Sequence, residues 1–152
     1  MVMFHFDHEY PLSPKEVLSP RTRFKADTLA AMQKFKAAKP WRGSQVERIE
    51  KFRVLIKDLS IVYGIPAPYL DGTGVDADEC SDGSYYMPMT HCIYIHGRLS
   101  VVTTLHEYAH ALGKNEFDAC RWSLNLFKRV FPRQWKRLEF DGHMARRRGE
   151  AG

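Results

Sequence analysis

Apolar residues return every three or four positions in four stretches of the chain, the spacing of a buried helix face. The clearest stretch runs through Val46, Ile49, Phe52, Ile56, Leu59 and Tyr63. Ser44 and Glu47 form a capping-box pattern at its start, and Gly64 stops it. Before it, Ser19 and Pro20 read as an N-cap and first-turn pair for a helix reaching about residue 38, broken by Pro40 and Gly43. A third helix is expected from Val101, Leu105, Tyr108, Ala109 and Leu112, with Ser100 as N-cap and Gly113 as stop. A fourth opens after Asn115 and places Phe117, Cys120, Leu124 and Phe127 on one side. Phe131–Pro132 breaks it, and residues 133–140 can form a last short helix.

The runs 84–87 and 90–95 are short, aromatic and β-branched, and Pro88 separates them, as in two strands joined by a turn. Residues 64–84 carry Gly64, Gly72, Gly74 and Gly83 with Asp71, Asp76, Asp78, Glu79 and Asp82, and read as a solvated loop. The expected fold class is α+β: a mainly helical single domain over residues 1–152, with a small antiparallel sheet preceding the third helix. An extended arm over residues 1–20, containing Pro11, Pro14 and Pro20, and a basic flexible tail over residues 141–152 flank it.

The third helix carries the chemistry. His106 and His110 are four residues apart, so they lie one above the other and can grip one metal ion. Glu107, beside the first histidine, can reach a water activated by that metal and act as general base. Catalytic zinc takes three protein ligands and leaves one position open. Glu116, six residues beyond His110 and past the turn at Gly113, is the favoured third ligand by reach and placement, with Asp118 as the rival.

The segment from Ser100 to Gly113, containing His106-Glu107-Tyr108-Ala109-His110, resembles the active-site helix of the zincin metallopeptidases. Glu116 to Ser123 resembles the following helix of small gluzincin-type proteins, including the ImmA/IrrE group. The likeness spans about residues 83–131. It implies a minimal zincin fold, Zn2+ held by His106, His110 and Glu116, Glu107 as the catalytic residue, and hydrolysis of a peptide or protein substrate. The six-residue gap from His110 to Glu116 equals that of metzincins, whereas gluzincins have a longer one, so the subclass stays open. In zincins an edge strand before the active-site helix holds extended substrate by backbone pairing, and residues 91–96 are the candidate here. Tyr94, His96 and His143 are candidates for stabilising an oxyanion.

The same histidine spacing resembles that of bacterial ribosomal-RNA-maturation endoribonucleases, which carry a third histidine and lack the glutamate after the first. A metal-dependent ribonuclease is therefore one alternative; a non-catalytic, zinc-stabilised domain binding nucleic acid or protein is another. Charge keeps both open. The net charge is +5, and Lys128, Arg129, Arg133, Lys136, Arg137 and Arg146 to Arg148 crowd the C-terminal region, where nucleic acid could bind. Cys80, Cys92 and Cys120 are odd in number and lack close pairing, which predicts reduced thiols and a cytoplasmic setting, with packing as the role of Cys120. No apolar run approaches a membrane span, and the first ten residues lack the pattern of a signal peptide.

Overall fold

The computed structural model describes residues 2–3, 17–76, 83–141 and 144–147. In chain order these form β1 (Val2–Met3), α1 (Ala26–Ala37), α2 (Gln45–Tyr63), β2 (Tyr69–Val75), β3 (Tyr85–Met87) and β4 (Cys92–Gly97). Then follow α3 (Val101–Ala111), α4 (Glu116–Val130), α5 (Pro132–Lys136), β5 (Leu138–Asp141) and β6 (Met144–Arg147). The architecture is α+β. No helix among the described residues is long and apolar enough to cross a membrane.

Helix ends follow local chemistry where a side chain can cap them. Ser44 Oγ accepts the Glu47 N–H at 3.2 Å to start α2, and Gly64 ends it with a φ of +66°, a left-handed conformation open to glycine. At α1 the expectation is corrected. The helix begins at Ala26, because Ser19 closes a turn instead: its carbonyl accepts the Thr22 N–H at 3.2 Å and its Oγ the Arg21 N–H at 3.3 Å. The last expected helix also ends early, at Lys136, and residues 138–141 become β5.

The sheet before α3 is mixed, not antiparallel as expected. Its order is β2-β4-β3, with β3 antiparallel to β4 and β2 parallel to it. The added strand comes from the stretch read as a loop, whose glycines proved to be close-approach positions. A Cβ on Gly72 would stand 2.6 Å from Ile49 Cδ1, and one on Gly74 would stand 2.8 Å from the Ile95 carbonyl oxygen. The β3–β4 hairpin is pinned by His91, at a φ of +47°. Its Nε2–H donates to the Pro66 carbonyl and its Nδ1 accepts from Tyr86 O–H, both at 2.7 Å. A second sheet, β1-β6-β5, is antiparallel and pairs Val2–Met3 of the N-terminal arm with Met144–Arg147 of the C-terminal segment. The rest of the arm (4–16), the acidic stretch 77–82 with Cys80, His143 and residues 148–152 lie outside the described residues.

One hydrophobic cluster joins α1, α2, the β2-β4-β3 sheet, α3 and α4. Phe35 meets Phe52 edge-on at 5.0 Å, and Trp122 lies against Tyr63 and Tyr108. Asn125 and Ser60, polar groups buried beside it, have partners. Asn125 Nδ2 donates to the Val17 and Arg121 carbonyls at 2.9 and 2.6 Å, while its Oδ1 accepts the Ser19 N–H at 2.9 Å, stapling the entering chain to α4. Ser60 Oγ donates to Ile56 O at 2.7 Å and so accepts from Tyr108 O–H at 3.0 Å. Burial pushes the Tyr108 phenol up to about 12.

Tyr108→Phe should cost about 1 kcal/mol in urea unfolding, the net value of one hydrogen bond, because Ser60 keeps Ile56 O. Since the folded phenol titrates above the unfolded one, its stability contribution is complete below about pH 10 and lost as pH rises toward about 12. Unfolding curves between pH 9 and 12 should therefore fall more steeply for the wild type than for the phenylalanine variant.

Candidate metal centre

The helix carrying the two histidines starts at Ser100, whose Oγ accepts the Thr103 N–H at 3.3 Å. Its apolar side, with Leu105, Tyr108 and Ala109, is fully buried, and this sets the helix's rotation about its axis. His106 and Glu107 are buried beside it, at 2% and 5% exposure, and His110 is half-buried. Gly113 then takes a φ of +87° and turns the chain. Asn115 Oδ1 accepts the Asp118 N–H at 2.8 Å, so α4 opens with Glu116 facing back to α3.

The turn brings three donors together. His106 Nε2 lies 3.2 Å from His110 Nε2 and 3.2 Å from Glu116 Oε1, and His110 Nε2 is 2.5 Å from that same oxygen. Ligand atoms at ordinary zinc bond lengths in a tetrahedron stand about 3.3 Å apart, close to two of these three separations. The outer nitrogens have partners suited to this orientation. His110 Nδ1–H donates to the Lys114 carbonyl at 2.9 Å, leaving Nε2 to present its lone pair inward. Glu116 Oε2 is buried without a hydrogen-bond partner, an orphaned anion-bearing atom that a cation would satisfy. Asp118, the rival ligand, is exposed.

Cys120 adds a group whose location the sequence did not reveal. One α4 turn beyond Glu116, its Sγ lies 3.7 Å from His106 Nδ1. His106, Glu116 and Cys120 offer ligand atoms within 4.8 Å of one another and could hold a metal ion. One imidazole presents one nitrogen to one metal, however, and Cys120 sits at the nitrogen opposite the His110–Glu116 side. Burial, reinforced by the Glu116 and Glu107 charges, pushes the Cys120 thiol far above its ordinary range. The donor set sharing one focus is His106 Nε2, His110 Nε2 and Glu116 Oε1. Cys120 packs behind His106 and fixes its ring.

The two carboxylates of the site are driven apart. Burial raises Glu116, but its contacts with the His106 and His110 rings overcome it and hold the carboxyl at about 2. Glu107 is raised by burial, with the His106 and His110 charges opposing. Its Oε1 is 4.0 Å from His106 Nε2. A cleft of about 410 Å³ opens over Glu107, His110 and Glu116, walled by Ser84, Tyr85, Tyr86 and Pro88. Residues 91–96, expected to offer an edge for substrate, fall almost wholly in the central strand β4, whose Cys92, Ile93 and Tyr94 pair with both β2 and β3. The strand at the cleft is β3. Tyr94 and His96 stack with Tyr85 on the sheet face opposite buried Ile93 and Ile95, outside the donor cluster.

No family model, curated protein or solved structure matches this chain. The site therefore rests on its own geometry.

Elemental analysis can separate the two donor sets. Wild type should carry about one divalent metal per chain and His110→Ala should lose it, whereas Cys120→Ala should keep it. Metal retained in His110→Ala and lost in Cys120→Ala would assign the ion to the cysteine-containing group instead.

Proposed function

We propose that this chain is a zinc-dependent metallopeptidase in which His106, His110 and Glu116 hold the metal and Glu107 is the general base. The observation that carries this reading is the convergence of two histidine nitrogens and one glutamate oxygen within 3.2 Å, with the Glu107 carboxylate 4.0 Å from the nearer nitrogen. Zinc, when bound, supplies a Lewis acid that acidifies water and polarises a carbonyl. Glu107 takes the proton of the attacking water and delivers it to the leaving amine, which keeps the chain's own proton account balanced. A carboxyl raised by burial suits both halves of that transfer, since it accepts and returns a proton more readily near neutrality. Strand β3 walls the cleft beside the base through Tyr85 and Tyr86.

The ribonuclease alternative draws support from exposed Lys128, Arg129, Arg133, Lys136 and Arg137 on α4 and α5 and just beyond. The peptidase reading is favoured because a buried, proton-accepting glutamate beside the first histidine is the feature those ribonucleases lack. In the third reading, a zinc-stabilised binding domain, Glu107 would have no task that justifies burying it.

With zinc-loaded protein and a peptide library, Glu107→Gln should reduce turnover by about 10²–10⁴-fold while zinc content stays at the wild-type level. Unchanged peptide cleavage in that variant would end the general-base assignment. Cleavage of RNA but of no peptide, abolished by Glu116→Ala, would transfer the site to the ribonuclease reading.

A further inference from the structure

A second and larger cavity, of about 590 Å³, opens at the other end of the same helix, where the start of α3 meets α2 and α5. This volume is in the range of small-molecule sites. Its inner wall is apolar, with Phe52, Leu99 and Phe131 all buried. Among the described residues, its charged lining is Arg48 from α2, Arg98 from the turn before α3, Arg137 from the end of α5, and Asp76. Arg48 Nε donates to the Pro40 carbonyl at 3.3 Å, which anchors that guanidinium at the rim. Beside it stands Trp41, 46% exposed.

The helix end adds to the positive field. Ser100 satisfies Thr103 N–H through its side chain and Thr104 N–H through its carbonyl, at 3.3 and 3.0 Å. The N–H groups of Val101 and Val102, which line the cavity, have no acceptor within the helix. Guanidinium groups from three separate elements suit a tetrahedral dianion approached from several sides better than a planar carboxylate. The indole and the phenylalanine wall suit a flat, apolar body.

We propose that this cavity binds an aromatic phosphate ester of nucleotide size, its phosphate among Arg48, Arg98, Arg137 and the α3 N-terminus, its ring against Trp41. This site is distinct from the metal centre and does not rest on the peptidase reading.

Calorimetric titration of the zinc-loaded full chain with ADP, 1-naphthyl phosphate and inorganic pyrophosphate tests it. At least one aromatic phosphate should bind one per chain and more tightly than pyrophosphate. Arg48→Ala and Arg137→Ala should each weaken that binding about tenfold, the scale of one charge-assisted hydrogen bond. Trp41→Ala should weaken the aromatic probe and leave pyrophosphate unchanged. His110→Ala should not alter binding of the aromatic probe; its loss there, with Arg137→Ala unaffected, would place the phosphate on the metal and overturn the proposal. Absence of saturable binding by either aromatic probe would overturn it as well, as would equal affinity for pyrophosphate. Arg137 is exposed at a helix end, so its variant keeps the test meaningful if Arg48→Ala perturbs the Pro40 turn.

Discussion

Two imidazoles and a carboxylate meet in the seam between α3 and α4, and the surrounding structure must make that meeting tolerable. Ionised groups are expensive to bury unless their partners are close and held. Glu116 meets this condition through His106 and His110, which keep it ionised despite its surroundings. Glu107, a residue away from His106, is left with less compensation and shifts the other way. Two carboxylates in one cleft are thus shifted in opposite directions, one held ionised and one pushed toward protonation. Burial and partner choice produce this division, since the side chains are chemically identical.

Such a site demands that its donors move little, and the packing provides for that. The histidine face of α3 cannot rotate because the opposite face is locked: Tyr108 bonds Ser60 of α2 and lies against Trp122 of α4. Cys120 backs His106, and the Lys114 carbonyl holds His110. The sheet contributes as well. His91 pins the β3–β4 hairpin to Pro66, and β3 in turn walls the cleft beside Glu107. Side chains held by neighbours in this way need less reorganisation when a ligand arrives.

The helix α3 links two different chemistries. Its middle and C-terminal turns carry the candidate metal donors, and its N-terminal turn lines a cavity with Arg48, Arg98 and Arg137 on its wall. The dipole of the helix orders these ends, since a positive N-terminus favours an anion and a half-buried His110 near the C-terminus sits where a cation is stabilised.

Much of the His106–His110–Glu116 cluster was legible along the chain because its determinants are local. The four-residue spacing of His106 and His110, the Ser100 cap, the Gly113 turn and the Asn115 cap all act over one or two helical turns, where periodicity and capping chemistry suffice. Glu116 was legible for the same reason. The position of Cys120 against His106 was not, because an apolar helix position does not say which neighbour it meets. Nor was β2 as a strand: Gly72 and Gly74 look like loop markers until Ile49 and Ile95 are seen pressing on them. The central place of β4, the cleft edge at β3, the Asn125 staple and the gathering of three arginines from distant segments all depend on long-range packing. The sequence by itself determined where α2, α3 and α4 start and stop and that His106, His110 and Glu116 lie within reach of one another, because those are short-range matters. Only the tertiary structure decided which strand borders the cleft and which buried groups compensate one another, because contacts between residues far apart along the chain leave no spacing to read.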